Sequence, residues 1–204
     1  EAENNALVAA QKLSEIRKKT AKVFSERVRE EMSFLNMPNV QIVTQFENTD
    51  FYEKGTDKIE FLISANPGEP PRPVAKIASG GELSRMMLAI KTVLASTDDI
   101  DTLIFDEVDT GISGSAAQKV GMKLKEVSKS SQVLCVTHQA QLAALADAHY
   151  LISKQVEDGR TFTQVKLLDF DGRKHELARI IGGVSITDAA LAHAESMLKE
   201  SEEL

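Results

Sequence analysis

The chain has 204 residues, with 24 Lys and Arg against 31 Asp and Glu and a formal net charge of −7. That length suffices for a globular domain with a real core, and no apolar run approaches the roughly 18 residues needed to cross a bilayer. A single cysteine, Cys135, excludes an internal disulfide and fits a reducing cytosol, while the acidic balance argues against the bulk surface as a nucleic-acid face.

No signal-peptide pattern opens the sequence, which starts at Glu1 inside a helical pattern and so reads as a segment of a longer chain. Neither Gly nor Pro interrupts Asn4 to Leu35, and this stretch is predicted as one long helix. Ala6, Ala9, Leu13, Ile16, Thr20 and Val23 recur at alternating spacings of three and four, a heptad-like stripe. The stripe then drifts to Phe24, Val28 and Phe34, as in a helix that leaves a coiled coil and enters a globular body. The plainer alternative is an amphipathic helix packed on its own domain. Segment 1–37 is accordingly expected to be a coiled-coil root helix ended by Pro38.

Alternation over Val40, Ile42, Thr44 and Phe46, and again over Ile59, Phe61 and Ile63, predicts a β-hairpin with a longish loop around Lys54-Gly55-Thr56. The loop Asn66-Pro67-Gly68-Glu69-Pro70-Pro71-Arg72-Pro73 holds four of the five prolines, which excludes helix and central strand. It is taken as the boundary between a hairpin and connector, 38–73, and an α/β body, 74–204.

Within that body the pattern predicts a helix from Glu82 to about Ala95, a strand Thr102 to Phe105 and a helix from about Ser115 to Ser128. A strand Gln132 to Val136 and a helix from about Ala140 to Ala146 follow. Short apolar strands alternating with helices indicate a parallel sheet buried on both faces. Tyr150 to Val156 and Thr161 to Leu168 read as a second hairpin, and helices near His175 to Ile181 and Ile186 to Glu200 close the chain.

Three stretches carry chemistry. In Ala78-Ser79-Gly80-Gly81-Glu82-Leu83-Ser84-Arg85, a Ser and two glycines precede a helix, where exposed N–H groups and the helix dipole favour an anion; a Ser cap with a Gly-Gly turn explains the same residues without a ligand. In Thr102-Leu103-Ile104-Phe105-Asp106-Glu107-Val108-Asp109, an apolar strand ends in adjacent carboxylates. At the C-terminal edge of a parallel sheet, one carboxylate can hold Mg²⁺ while its neighbour orients or deprotonates water. An acidic solvated turn is the ordinary alternative, although burying three acids in four residues is costly without a cation. In Val133-Leu134-Cys135-Val136-Thr137-His138-Gln139, His138 follows a buried strand and could donate a hydrogen bond to a phosphate; alone it reads equally as a structural His.

In this order and spacing the three resemble the signature motif, Walker B strand and H-loop of ABC-type ATPases. Glu82 in place of the transporter-type Gln, followed by Asp106-Glu107-Val108-Asp109, is similar to the SMC-like DNA-repair branch. The stretches VAKIASGGELSRMMLAIK, IFDEVDTGISG, VTHQAQLAALAD and HAESML carry the same resemblance, which covers roughly Val74 to Leu198. The opening helix then takes the place of the returning coiled-coil strand. The resemblance implies an α/β fold, the C-terminal lobe of an ABC-type (P-loop NTPase) ATPase head, and a role in ATP-dependent DNA double-strand-break repair and recombination. It implies that Ser79, Gly80, Gly81 and Glu82 contact the γ-phosphate of ATP held by a partner head. Asp106 would support Mg²⁺, Glu107 would polarise the attacking water, and His138 would sense the γ-phosphate.

Two positions depart from the SMC pattern. Ala78 stands where the signature commonly has Leu, and Ser113 stands where SMC heads carry Asp, which puts in question a D-loop carboxylate contact across the dimer. No G-x-x-x-x-G-K-[ST] occurs in the sequence. The implied partners are therefore an N-terminal half of the same protein bearing that Walker A loop, a second copy joined through ATP-bound heads, and DNA, in the bacterial cytoplasm at the nucleoid. This segment by itself is expected to be inactive. Rival readings are another SMC-like chromosome or nuclease-partner head, a transporter nucleotide-binding domain, disfavoured by Glu82, DEVD and the long opening helix, and a non-catalytic binding module, disfavoured by Glu107 and His138.

Overall fold

The computed structural model describes residues 1–64, 68–76, 80–95, 97, 99–157, 159–183 and 185–203. They form two compact units, Glu1–Asp99 and Ile100–Leu204. Among the described residues no helix is long and apolar enough to cross a membrane.

The first unit begins with α1 (Ala2–Phe34), 33 residues long, or about 50 Å at the usual rise per residue. Its stop lies before Pro38. Asn36 takes a left-handed φ of 65°, and the Met37 amide reaches back to the Met32 carbonyl at 2.9 Å. This is a helix-ending geometry that Asn tolerates well among residues with a side chain. α1 buries Ala10, Val28 and Met32. Leu13, Ile16 and Val23 of the heptad-like stripe remain partly exposed, although Ile16 also lines an apolar groove within this unit.

β1 (Gln41–Tyr52) and β2 (Gly55–Ser64) form the predicted hairpin, in register from Gln41↔Ser64 to Asn48↔Asp57. The strands run further than the alternation suggests, and the loop is a tight turn at Glu53-Lys54. A register shift between Asn48 and Tyr52 absorbs the irregularity, and Gly55 supplies a φ of 101° that a side chain rarely adopts. Part of the proline loop is recruited to the sheet as β3 (Arg72–Pro73), an edge strand against Leu62 and Ile63. Proline fits there because an edge position requires no inward N–H.

After a 3₁₀ turn at Val74–Lys76, α2 (Gly80–Leu94) buries Met86, Leu88 and Ala89 and packs on α1. The boundary between the two compact units follows α2, at Asp99–Ile100. α1, the hairpin and α2 surround an open apolar groove of about 610 Å³.

A polar clamp joins α1 to the hairpin. Ser14 Oγ donates to Asp57 Oδ1 at 2.7 Å, Arg17 Nη1 donates to Asp57 Oδ2 at 3.2 Å, and Tyr52 OH donates to the Asp57 carbonyl at 2.7 Å. Asp57 is buried, so these donors replace the water it loses on folding.

In the second unit, β4 (Thr102–Phe105) and β5 (Gln132–Cys135) pair in parallel from Thr102↔Gln132 to Phe105↔Cys135. The connection is α3 (Gly114–Val127). The parallel pairing agrees with the sequence pattern; burial on both faces does not. Ile104 and its partner Leu134 are 71% and 46% exposed, because among the described residues the sheet has two strands and nothing in this unit covers that row. Next come α4 (Ala140–Leu145), the hairpin β6 (Tyr150–Glu157) and β7 (Arg160–Leu167), α5 (Phe170–Gly182) and α6 (Asp188–Glu202). α5 starts earlier than its apolar periodicity suggests because Asp169 caps it, accepting from the Gly172 amide at 2.8 Å. Small side chains bring α4, α5 and α6 together around Leu177 and Leu198, with Ala140, Ala143, Ala144, Ala178, Ala190 and Ala194 filling the gaps. Arg173 closes the end of α4, with Nη2 donating to the Ala144 and Ala146 carbonyls at 3.1 and 2.7 Å.

The clamp gives a testable pH dependence. The Ser14 hydroxyl foremost, then the Arg17 guanidinium, hold the Asp57 carboxyl below its ordinary 3.8 against the opposing effect of burial. A depressed folded pKa contributes stability that is present above the unfolded value and lost as pH falls through the folded one. Unfolding of the chain in denaturant should thus become easier on acidification below about pH 4, and Asp57→Asn should flatten that part of the curve. An unchanged slope in Asp57→Asn would show that the clamp contributes nothing.

Candidate functional site

The parallel pairing of β4 and β5 brings the segments that follow them to one sheet edge. The Val136 amide still bonds the Phe105 carbonyl at 2.9 Å, one residue beyond β5. From there the two segments diverge into the turns that carry the polar residues.

On the β4 side, Asp106 and Glu107 are exposed while Val108 and Asp109 are buried. The Thr110 amide bonds the Glu107 carbonyl at 3.0 Å, and the Ile112 amide bonds the Asp109 carbonyl at 3.3 Å, closing two successive turns. Glu107 sits at φ 58°, a left-handed conformation that costs a residue with a Cβ roughly 1–2 kcal/mol. Val108 and Asp109, fixed in the interior, hold that backbone in place. Retained strain of this kind concentrates at functional positions. It presents the Glu107 carboxylate directly after Asp106, outside the end of the strand.

On the β5 side, the Thr137 hydroxyl donates to Asp109 Oδ2 at 2.5 Å, and the His138 amide donates to the same oxygen at 3.1 Å. His138 Nδ1 stands 3.4 Å from that oxygen, and its side chain is 73% exposed. The Gln139 amide donates to Thr137 Oγ1 at 3.0 Å, and Gln139 Nε2 donates to the Ile112 carbonyl at 3.1 Å. The structure thus groups Asp106, Glu107 and His138 at one edge, laced by Asp109, Thr137 and Gln139.

Gly80 and Gly81 are the first residues of α2, with Glu82 in its first turn. They belong to the first unit, and Ala78 and Ser79 lie outside the described residues. Their N-terminal position on the helix suits a phosphate, since the first N–H groups have no partner within the helix. Among the described residues no cluster of three or more His, Cys, Asp and Glu could hold a metal. Asp106 still fits Mg²⁺, which is commonly held by one or two carboxylates, waters and the phosphates of its nucleotide.

Asp109 and Thr137 carry the geometry yet drew no role from the sequence. The available signal was the third acid of the run following an apolar residue, Val108, which marks it as the member turned inward. Its partner, a hydroxyl directly before His138, is recognisable only once the two strand ends are adjacent.

The chain matches no protein-family model. It is 42% identical over 213 residues to DNA repair protein RecN of Bacillus subtilis (strain 168), covering 97% of this chain and 37% of that protein. It is 45% identical over 199 residues to DNA repair protein RecN of Xylella fastidiosa (strain Temecula1), covering 96% and 36%. The chain therefore spans a little over a third of the length of these relatives. Among solved structures, it is similar to the Smc head domain with a coiled coil and joint from Pyrococcus yayanosii, with a TM-score of 0.57 and 21% identity over 80% of this chain and 30% of that one. It is also similar to the Pyrococcus furiosus Smc head domain with an extended coiled coil bound to the C-terminal domain of ScpA, with a TM-score of 0.54 and 23% identity over 81% and 39%. The fold is that of part of an Smc head domain.

Cys135 reports on the electrostatics of this edge. Burial first, then the charges of Asp109 and Asp106, push its thiol from 9.0 up to about 12. Because the thiolate is the nucleophile, alkylation by iodoacetamide near pH 8 should be much slower in the native chain than in the unfolded one. Modification of the native thiol at the unfolded rate would overturn this account.

Proposed function

The chain belongs to the RecN family as a segment spanning a little over a third of its members' length, and from that premise we propose that it is the signature- and Walker B-bearing lobe of an ATP-hydrolysing head in a DNA double-strand-break repair and recombination protein. The observation that carries this reading is that Asp106 and Glu107, both exposed, directly follow the end of β4, with Glu107 held at φ 58°. Adjacent carboxylates at the C-terminal edge of a parallel sheet are the pair that phosphoryl transfer to water requires.

In this reading Asp106 holds Mg²⁺, which when bound neutralises charge on the phosphate oxygens of ATP. Glu107 orients a water in line with the γ-phosphate and takes its proton. His138 reaches the γ-phosphate from the β5 side. Ser79, Gly80, Gly81 and Glu82 of one head meet the γ-phosphate bound on a second copy, through N–H groups backed by the dipole of α2. ATP then bridges two heads, and loss of its terminal phosphate releases them.

The remaining contacts come from the rest of the full-length protein. The open row of Ile104 and Leu134 is apolar surface suited to further sheet or helix, and it supports docking onto an N-terminal half that carries a Walker A loop. The exposed stripe of α1 supports its assignment as a coiled-coil root, 1–37, preceding the hairpin and connector, 38–73, and the ATPase lobe, 74–204. DNA is the substrate on which the assembly acts, in the bacterial cytoplasm at the nucleoid.

This 204-residue chain alone, without a phosphate loop, should show no micromolar ATP affinity by calorimetry; such affinity would remove the need for a second half.

In the full-length protein, Glu107→Gln should bind ATP and dimerise normally while hydrolysis falls ~10²–10⁴-fold, the usual loss for a positioned base. Asp106→Asn should weaken Mg²⁺-dependent binding as well. Ser79→Arg should bind nucleotide and fail to dimerise, because a bulky cation occupies the space of the partner's γ-phosphate. Steady-state hydrolysis by Glu107→Gln at the wild-type rate would sink the mechanism.

A further inference from the structure

We propose that Asp109 is the positioning residue for His138, holding both its backbone and its ring tautomer, so that a single carboxylate couples the turn after β4 to the loop after β5. The inference rests on the functional reading above only where it concerns the phosphate; the coupling itself stands on geometry.

Asp109 is 1% exposed, and one of its oxygens collects the donors of the facing loop. Oδ2 accepts from Thr137 Oγ1 at 2.5 Å and from the His138 amide at 3.1 Å. Thr137, its proton committed to Asp109, offers its oxygen to the Gln139 amide at 3.0 Å. Three consecutive residues of the loop are therefore ordered by one buried group. A carboxylate taken out of water requires such donors, since the alternative is a buried acceptor left unsatisfied. The loop is thus pinned to Asp109 for a reason of stability, and His138 is carried with it.

The ring follows. With Nδ1 3.4 Å from Asp109 Oδ2 and the side chain 73% exposed, the proton of the neutral imidazole belongs on Nδ1, facing the carboxylate. Nε2 then carries the lone pair. A carboxylate this near one ring nitrogen favours an N–H over a lone pair there, and so sets the state of the other nitrogen. Asp109 and Glu107 lie in the same turn, separated by Val108. Any displacement of the Glu107 backbone is therefore felt at Asp109 and through it at His138, which gives the two sides of the edge a common reference point.

The first measurement is on this chain with ¹⁵N-labelled histidine. Wild-type His138 should show the Nδ1–H tautomer, and Asp109→Asn should move it toward Nε2–H, the form ordinarily favoured by an unconstrained ring. An Nε2–H tautomer in the wild type overturns the proposal, whatever the protein hydrolyses.

The second is hydrolysis by the full-length protein. Asp109→Asn keeps an acceptor oxygen for Thr137 and should fold, yet kcat should fall ~10–100-fold, the usual effect of losing the partner that holds an active group, with KM for ATP within about twofold. Thr137→Ser should retain the wild-type rate and Thr137→Val should lose it. Adding Asp109→Asn to His138→Ala should cost nothing further, because the first acts through the second. Full additivity would overturn the coupling. A wild-type rate in His138→Ala, with the tautomer as expected, would instead overturn the role of His138 at the phosphate and leave the positioning by Asp109 standing.

Discussion

Parallel pairing of β4 with β5 forces both strands to end at the same edge, and the chemistry of the second unit depends on that constraint. An antiparallel pair would send Asp106 and His138 to opposite ends of the sheet. Parallel strands instead need a crossover, here α3, and the crossover separates in sequence what the sheet reunites in space. Asp109 then converts adjacency into a connection, because its buried oxygen accepts from Thr137 and from the His138 amide. The order of cause runs from strand register to shared edge to a common hydrogen-bond acceptor.

The edge contains a deliberate tension. Glu107 adopts a backbone conformation disfavoured by roughly 1–2 kcal/mol, while its neighbours Val108 and Asp109 are buried. The interior residues supply the free energy that keeps the exposed one in place. A glycine at that position would relieve the strain and lose the carboxylate.

Much of this was legible in the sequence, for identifiable reasons. β4 was read to the residue because a short apolar run bounded by aspartates has no competing periodicity. The hairpin β1–β2 was read from alternation, whereas its tight turn was hidden by the register shift before Tyr52. The start of α5 was missed because Gly172 masks a helix whose real signal is the Asp169 cap. The burial of both sheet faces was inferred wrongly from apolar content: Ile104 and Leu134 show that an apolar strand records where a residue is meant to go, whether or not this segment contains the surface that covers it. Asp106, Glu107 and His138 stood out in the sequence because they follow short apolar strands, β4 (Thr102–Phe105) and β5 (Gln132–Cys135). Asp109 did not, because its role exists only between two loops whose proximity depends on register.

α1 makes the same point at the scale of a whole helix. One face, through Ala10, Val28 and Met32, is buried, and the Ser14–Arg17–Asp57 clamp sets the helix against the hairpin by side chains of defined direction. Apolar contacts alone would allow the helix to slide along the hairpin; a bonded carboxylate permits one register. Leu13, Ile16 and Val23 remain partly exposed over about 15 Å of the helix, apolar surface that is costly to leave in water. The clamp at Ser14 and Arg17 lies near the middle of α1, so the register of the helix on the hairpin is fixed between its two ends.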